Sequence, residues 1–187
     1  MVRSSFKSQA REISSAAGLG FDYFYPTISF LGGGEYGIAL LSQYAVERVE
    51  YFDLTIVADR EARGAILARI ELEGFDLLLA GTHLSVGEDF AKAQLERLIA
   101  ALGAVGRPWL LMGDLNLVDV EGIDQSFLES DTGSTWPSEN PKAMLDRVLF
   151  SGIPAECIAS HVECDPSLSD HCAILVDLCP SNTPGLS

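Results

Sequence analysis

The sequence predicts an α+β domain of two packed, mixed β-sheets flanked by helices. Three observations carry that expectation. Short apolar runs rich in β-branched residues are separated by turn residues, two neighbouring runs sit close enough to form a hairpin, and one amphipathic helix interrupts them. Strands and hairpins alternating with a helix bury their apolar faces by stacking sheets with helices outside. No internal repeat or interdomain linker divides the chain, so residues 1–179 read as one domain and residues 180–187 as a flexible tail.

Taken in order, residues 4–17 place Phe6, Ala10, Ile13 and Ala17 at three- and four-residue spacing, with Gly18 as a stop, and so predict a short helix. Gly32-Gly33-Gly34 predicts a turn into the apolar run 38–41, and residues 46–58 alternate loosely, as a strand does. Residues 65–72 and 75–82 predict a hairpin joined at Glu73-Gly74; its second member is apolar at successive positions, which suits a strand covered on both faces. Residues 88–102 carry one apolar stripe (Ala91, Leu95, Leu98, Ile99, Leu102) with acidic residues at the start, ending at Gly103 and Gly106-Arg107-Pro108. Residues 109–112 predict a short buried strand. Residues 129–143 form a loop dense in Ser, Pro, Asp and Asn around Trp136, a length that marks a functional or mobile segment. Residues 145–150, 157–162 and 171–178 predict the closing strands.

Of the 187 residues, 48% are hydrophobic and 21% charged, the balance of a globular chain. The formal net charge is -15 with only 12 basic residues. Affinity for nucleic acid comes mainly from Lys and Arg neutralising phosphates, so duplex DNA is disfavoured as a partner and an anionic membrane surface equally so. No run approaches the ~20 apolar residues that span a bilayer. The N-terminal stretch lacks the continuous apolar segment of a signal peptide, which predicts a cytoplasmic protein. Cys157, Cys164, Cys172 and Cys179 form no CxxC pair, and reduced thiols are expected.

Three apolar runs meet groups that a core would not select. Gly81-Thr82-His83-Leu84 closes one, Met112-Gly113-Asp114-Leu115-Asn116 closes another, and Ser169-Asp170-His171 opens a third; Asp146 begins Leu145-Asp146-Arg147-Val148. Each alone reads as turn chemistry. Together they read otherwise. Asp114 and Asn116 are two apart, so in extended chain their side chains leave one face, offering oxygen to a hard cation or a phosphoryl group. His83 and His171 are suited to donate to a phosphoryl oxygen or take a proton from water, and Asp146 to orient one imidazole.

The ordered series GGGEYGIALLS, ARGAILARIEL, GTHL, GDLN, STWPSENPKAMLDRVLFSG and SDHCAILVDL resembles the endonuclease/exonuclease/phosphatase superfamily, from about Gly32 to Leu178. The resemblance implies a four-layer sandwich and hydrolysis of a phosphate ester with Mg2+ or Mn2+. It implies that Asp114 and Asn116 position the attacking water and contact the scissile phosphate, with Asp114 and Asp170 as metal ligands. It makes His171, oriented by Asp146, the histidine beside the phosphate, and His83 the second histidine, stabilising phosphoryl oxygens. Arg63 would face the phosphate and Trp136 would line the substrate pocket; the plainer readings are a solvated strand-edge charge and a hydrophobic plug. The acidic charge favours a small or lipid-like phosphate ester over duplex DNA.

The sequence departs from the family at its start. The first βαβ portion, with an Asn motif and a Gln-Glu motif whose Glu is a metal ligand, has no counterpart, so the fold is expected to be N-terminally incomplete. Weak metal affinity, low activity and self-association through an exposed sheet edge are then expected. The rivals are a catalytically inactive relative acting as a binding module and a zinc domain built on Cys157, His161, Cys164, His171 and Cys172. A Ser-His-Asp hydrolase from Ser169, Asp170 and His171 lacks any G-x-S-x-G elbow, and no Lys-Ser/Thr follows the glycine run to make it a phosphate loop.

Overall fold

A computed structural model describes residues 8–31, 33–72, 75–123 and 126–179. Ten strands, two α-helices and one short 3-10 helix (Ala155–Cys157) are assigned among them. The centre is a six-stranded mixed sheet of β3 (Arg48–Asp53), β4 (Gly64–Leu72), β5 (Phe75–His83), β6 (Trp109–Asp114), β7 (Leu128–Glu129) and β8 (Asp146–Ser151), in the order β3-β4-β5-β6-β8-β7. Only β5 and β6 run parallel. A parallel pair needs a crossover, and α2 (Glu88–Ala104) provides it.

α2 covers one face of the sheet. The predicted stripe Ala91, Leu95, Leu98, Ile99 and Leu102 is buried, together with Gln94, against Leu78, Ala80, Trp109, Leu111 and Leu149. Alternate residues of the same strands, Leu77, Leu110, Val148 and Phe150, face the other way. There the antiparallel hairpin of β9 (Ile158–Glu163) and β10 (Ala173–Leu178) packs through Ile158, Ile174, Val176 and Leu178. A second antiparallel hairpin, β1 (Phe21–Phe30) and β2 (Gly34–Ser42), lies against β4 and β5 on that side. Between it and the sheet is an apolar cavity of about 230 Å³, lined by Ile38, Leu40, Ile66, Ala68, Leu79 and Met112. α1 (Gln9–Ala16) packs on β1 and β2, so the layers run helix, sheet, paired hairpins, helix. This is the α+β arrangement expected of the sequence.

Several expectations need revision. The stripe predicted in α1 is displaced: Ala10 and Ser14 are buried and Ile13 is exposed, while Phe6 lies outside the described residues. β1 was not anticipated, because Pro26 breaks its alternation; it sits where the register slips between Pro26 and Ile28. The strand expected over residues 46–58 ends at Asp53, whose carboxylate accepts from the Thr55 N–H at 2.8 Å and turns the chain. The hairpin turn Glu73-Gly74, Gly32 and the tail 180–187 lie outside the described residues.

The expectation of reduced thiols is overturned. Cys157 is bonded to Cys179 and Cys164 to Cys172, which closes both ends of the β9–β10 hairpin. Sulfurs so bonded are not available to a metal, and His171 is engaged elsewhere, so the zinc reading falls with it.

Candidate active site

Sheet register creates the site. His83 is the cross-strand partner of Asp114, and Asp114 is the partner of Asp146, so one row crosses β5, β6 and β8 at the same end of the sheet. All three share the parity of Leu77, Leu110 and Val148 along their strands, so they leave by the hairpin-covered face. Adjacent strands lie about 4.8 Å apart, which brings His83 Nε2 to 3.4 Å from Asp114 Oδ2. The strands are pressed together at Gly113, where φ is +153° and a Cβ would stand 1.9 Å from the Thr82 carbonyl oxygen. A side chain has no room there.

His171 enters from the loop before β10. Its Nδ1 is 2.8 Å from Asp146 Oδ2 and its Nε2 is 3.9 Å from Asp114 Oδ2. Ligand atoms of Asp114, Asp146 and His171 therefore gather within 4.8 Å of one another. Two oxygens and an imidazole suit a divalent cation, although Asp146 already holds His171 through Oδ2.

Residues 132–145 clamp the His171 loop. Thr135, fully buried, accepts at Oγ1 from the N–H groups of Leu145 and Asp146, and its carbonyl accepts from the Cys172 N–H at 2.8 Å. The Ser138 N–H donates to the Asp170 carbonyl at 2.9 Å, and its hydroxyl donates to the Ser169 carbonyl at 2.6 Å. The Cys164–Cys172 disulfide fixes the residue next to His171. The long polar loop is thus a hydrogen-bonded frame. Trp136, on this frame, is 41% exposed and is no buried plug.

Asn116 joins Asp114 for a reason other than strand alternation. β6 ends at Asp114, and Asn116 has φ +52°. Its N–H donates to Asp114 Oδ1 at 3.0 Å, and its carboxamide donates to the Leu84 carbonyl at 3.0 Å. The buried Arg147 reaches across from β8 to the Leu117 and Val118 carbonyls and to Glu129, so it holds the chain just beyond Asn116.

Arg63 is 6% exposed, not a solvated edge charge. Its Nη2 is 2.7 Å from Glu61, its Nε is buried with no hydrogen-bond partner, and its charge acts on His83. Asp170 is exposed and lies outside the close cluster, yet its charge is felt by His171.

Burial dominates the titration of two of these groups. It pushes Asp114 up from the usual carboxylate range, against the opposing pull of His83 and the Asn116 N–H, and Asp146 adds to the rise. Burial likewise pulls His83 down, and Asp114 only partly opposes it. For a neutral His83 the 3.4 Å approach to Asp114 is a polar contact, not an ion pair. At His171 burial pulls downward too, but the hydrogen bond and charge of Asp146, with Asp114 and Asp170 behind it, outweigh it and the net shift is upward.

Sequence reasoning did not single out Tyr36, Thr135, Ser138 or Arg147. Tyr36 lay within the glycine-rich motif, and its hydroxyl is 3.1 Å from His83 Nδ1.

The sequence profile of the Endonuclease/Exonuclease/phosphatase family matches residues 6–171. The uncharacterized protein YbhP of Escherichia coli K12 is 27% identical over 173 residues, covering 84% of this chain and 68% of YbhP. Among solved structures, truncated TDP2 from Caenorhabditis elegans matches with a TM-score of 0.70 at 20% identity, over 92% of this chain and 80% of that one. The mannosyl-6-phosphatase Bt3783 of Bacteroides thetaiotaomicron matches with a TM-score of 0.67 at 14% identity, over 91% of this chain and 81% of that one. At these identities the structural matches establish the fold.

Proposed function

The chain belongs to the Endonuclease/Exonuclease/phosphatase family, and on that premise we propose that it hydrolyses a phosphodiester or phosphomonoester by in-line attack of water, assisted by a divalent metal. The observation that carries this reading is the single row His83–Asp114–Asp146 with His171 against it. His171 is the general base. Asp146 holds its Nδ1, which leaves Nε2 facing Asp114 across 3.9 Å, a separation that one water oxygen spans. Asp114 and Asn116 orient that water and the scissile phosphate. His83, kept neutral by burial, donates a hydrogen bond to a phosphoryl oxygen, and Arg63 offsets the charge that develops there. Mg2+ or Mn2+ would be held by Asp114 and would polarise the phosphoryl oxygen. Asp170 stands outside the cluster of Asp114, Asp146 and His171, so to be the second ligand its carboxylate would have to turn in toward Asp114. The gathering of ligand atoms from Asp114, Asp146 and His171 within 4.8 Å of one another supports a cation at this end of the sheet.

The substrate we favour is a small or lipid-like phosphate ester, since a net charge of -15 repels duplex DNA. Trp136 is placed to line its pocket. No helix among the described residues is long and apolar enough to cross a membrane. Two disulfides favour an oxidising compartment over the cytoplasm expected from the sequence. Self-association through the edges of the two-stranded sheets is a further part of the proposal, checked by sedimentation.

A second reading, a relative with weak metal affinity that serves as a binding module, is favoured by one observation. Of the two clustered carboxylates, one is already committed to His171. Hydrolysis of bis-(4-nitrophenyl) phosphate with Mg2+ or Mn2+ separates the two. Metal-dependent turnover lost in Asp114→Ala and in His171→Ala supports the enzyme. Absence of turnover in the parent protein supports the binding module.

A further inference from the structure

The two histidines of the site are each engaged at Nδ1, but by different groups. Asp146 holds His171, and the phenol of Tyr36 holds His83 at 3.1 Å. Tyr36 reaches the site from β2, in the hairpin layer, while His83 belongs to the central sheet, so the contact crosses between two layers. The rings meet edge to face with centroids 6.4 Å apart, so they are not stacked and the polar contact defines their relation.

We propose that Tyr36 is a positioning residue for His83. Resting on the phosphoesterase reading, the proposal assigns to the phenol the task of aiming the imidazole. A hydroxyl that donates to Nδ1 requires that nitrogen to carry its lone pair. In a neutral ring the proton then resides on Nε2, and Nε2 is the atom 3.4 Å from Asp114 Oδ2 in the row. The phenol thereby keeps a donor facing the phosphoryl oxygen and resists rotation of the ring out of the row. A strand-borne histidine needs such a partner, because register fixes its Cα and Cβ and leaves the ring free to turn about χ2. The Tyr36 side chain is 44% exposed, so its place at the mouth of the site is not explained by burial of its ring.

Nitrogen-15 spectra of the ring nitrogens test this directly, and with only 3 histidines in the chain each is assigned by single substitution. In the parent protein near neutral pH, His83 should show a protonated Nε2 and an unprotonated Nδ1 shifted by an accepted hydrogen bond. In Tyr36→Phe the Nδ1 signal should move to the position of a free imidazole nitrogen. On bis-(4-nitrophenyl) phosphate, Tyr36→Phe should lower kcat by about five- to tenfold, the worth of one hydrogen bond, and leave KM within about twofold. In a His83→Gln background the same substitution should have no further effect, because its only route to the chemistry is gone. A protonated Nδ1 in the parent, an unchanged Nδ1 signal in Tyr36→Phe, or an equal loss of kcat in both backgrounds overturns the proposal. Should the parent show no turnover, the phosphoesterase reading fails on its own while the spectra still decide the contact.

Discussion

His83 and His171 stand on either side of Asp114, yet the regions that present them are built differently. His83 is the last residue of a core strand. Its place follows from pairing with Asp114 across a parallel ladder, its burial pulls its pKa down, and its nearest polar partner at Nδ1 is a phenol. His171 is on a loop. It is placed by Thr135, Ser138 and a disulfide, and the carboxylate of Asp146 drives its pKa up. On the proposed reading, one ring type would serve as a neutral donor on the strand side and as a proton acceptor on the loop side. The difference lies in whether burial or an adjacent charge prevails at each ring.

Removing the charge that separates the two histidines should have the largest effect. Asp146→Asn keeps the shape and deletes the carboxylate. We expect kcat to fall on the order of a hundredfold, within the range for an oriented general base. The pH profile sharpens the point. A base acts when unprotonated, and the raised pKa of His171 means that activity rises with pH only as that raised value is passed. Without the carboxylate the acid limb of kcat/KM should move to lower pH while the plateau drops. A limb that stays in place would show that another group sets it.

The strand side can be broken at Gly113. A methyl group there would stand 1.9 Å from the Thr82 carbonyl oxygen, so β5 and β6 must separate and the His83–Asp114 pair with them. Gly113→Ala should cost about 2–3 kcal/mol of stability by overpacking, read by thermal or urea unfolding. Activity should fall as well, even under conditions where the variant is folded.

The loop side can be broken at Thr135. Thr135→Val keeps the volume but leaves the Leu145 and Asp146 N–H groups without their acceptor, at a cost of about 1–3 kcal/mol. The loss should concentrate in kcat, since the affected strand end carries Asp146. If KM rises and kcat is unchanged, the frame serves substrate binding instead.

The same contrast explains what could be read from the sequence. His83, Asp114 and Asp146 interrupt apolar runs, and side-chain alternation along strands is visible without coordinates. The stripe of α2 was legible for a related reason: its period is local. Asn116 was singled out for a wrong reason, because strand geometry does not extend past Asp114. Contacts made across layers leave no local period. Tyr36 meets His83 from 47 residues away, and Ser138 meets Ser169 from 31. The cysteine pairs were missed because the sequence, with neither a recognisable secretion signal nor a CxxC pair, led to the expectation of reduced thiols. The pairing is set by which strand ends the hairpin brings together. β1 was hidden by Pro26, which suppresses the pattern without preventing an irregular edge strand.

The smallest expected effect is at Trp136. The residue sits on the loop-side frame next to Ser138, and 41% of its surface is exposed, so truncation opens no core cavity and should cost little stability. If Trp136 lines the pocket, its ring contributes to ground and transition states alike, and Trp136→Ala should raise KM severalfold with kcat nearly unchanged. Trp136→Phe should retain most of the affinity through the remaining aromatic face. A fall in kcat without a change in KM would instead mean that the ring supports the frame behind His171. The loop side would then be a positioning device throughout, and the substrate's leaving group would have to be recognised from the strand side, where Tyr36 and Arg63 stand.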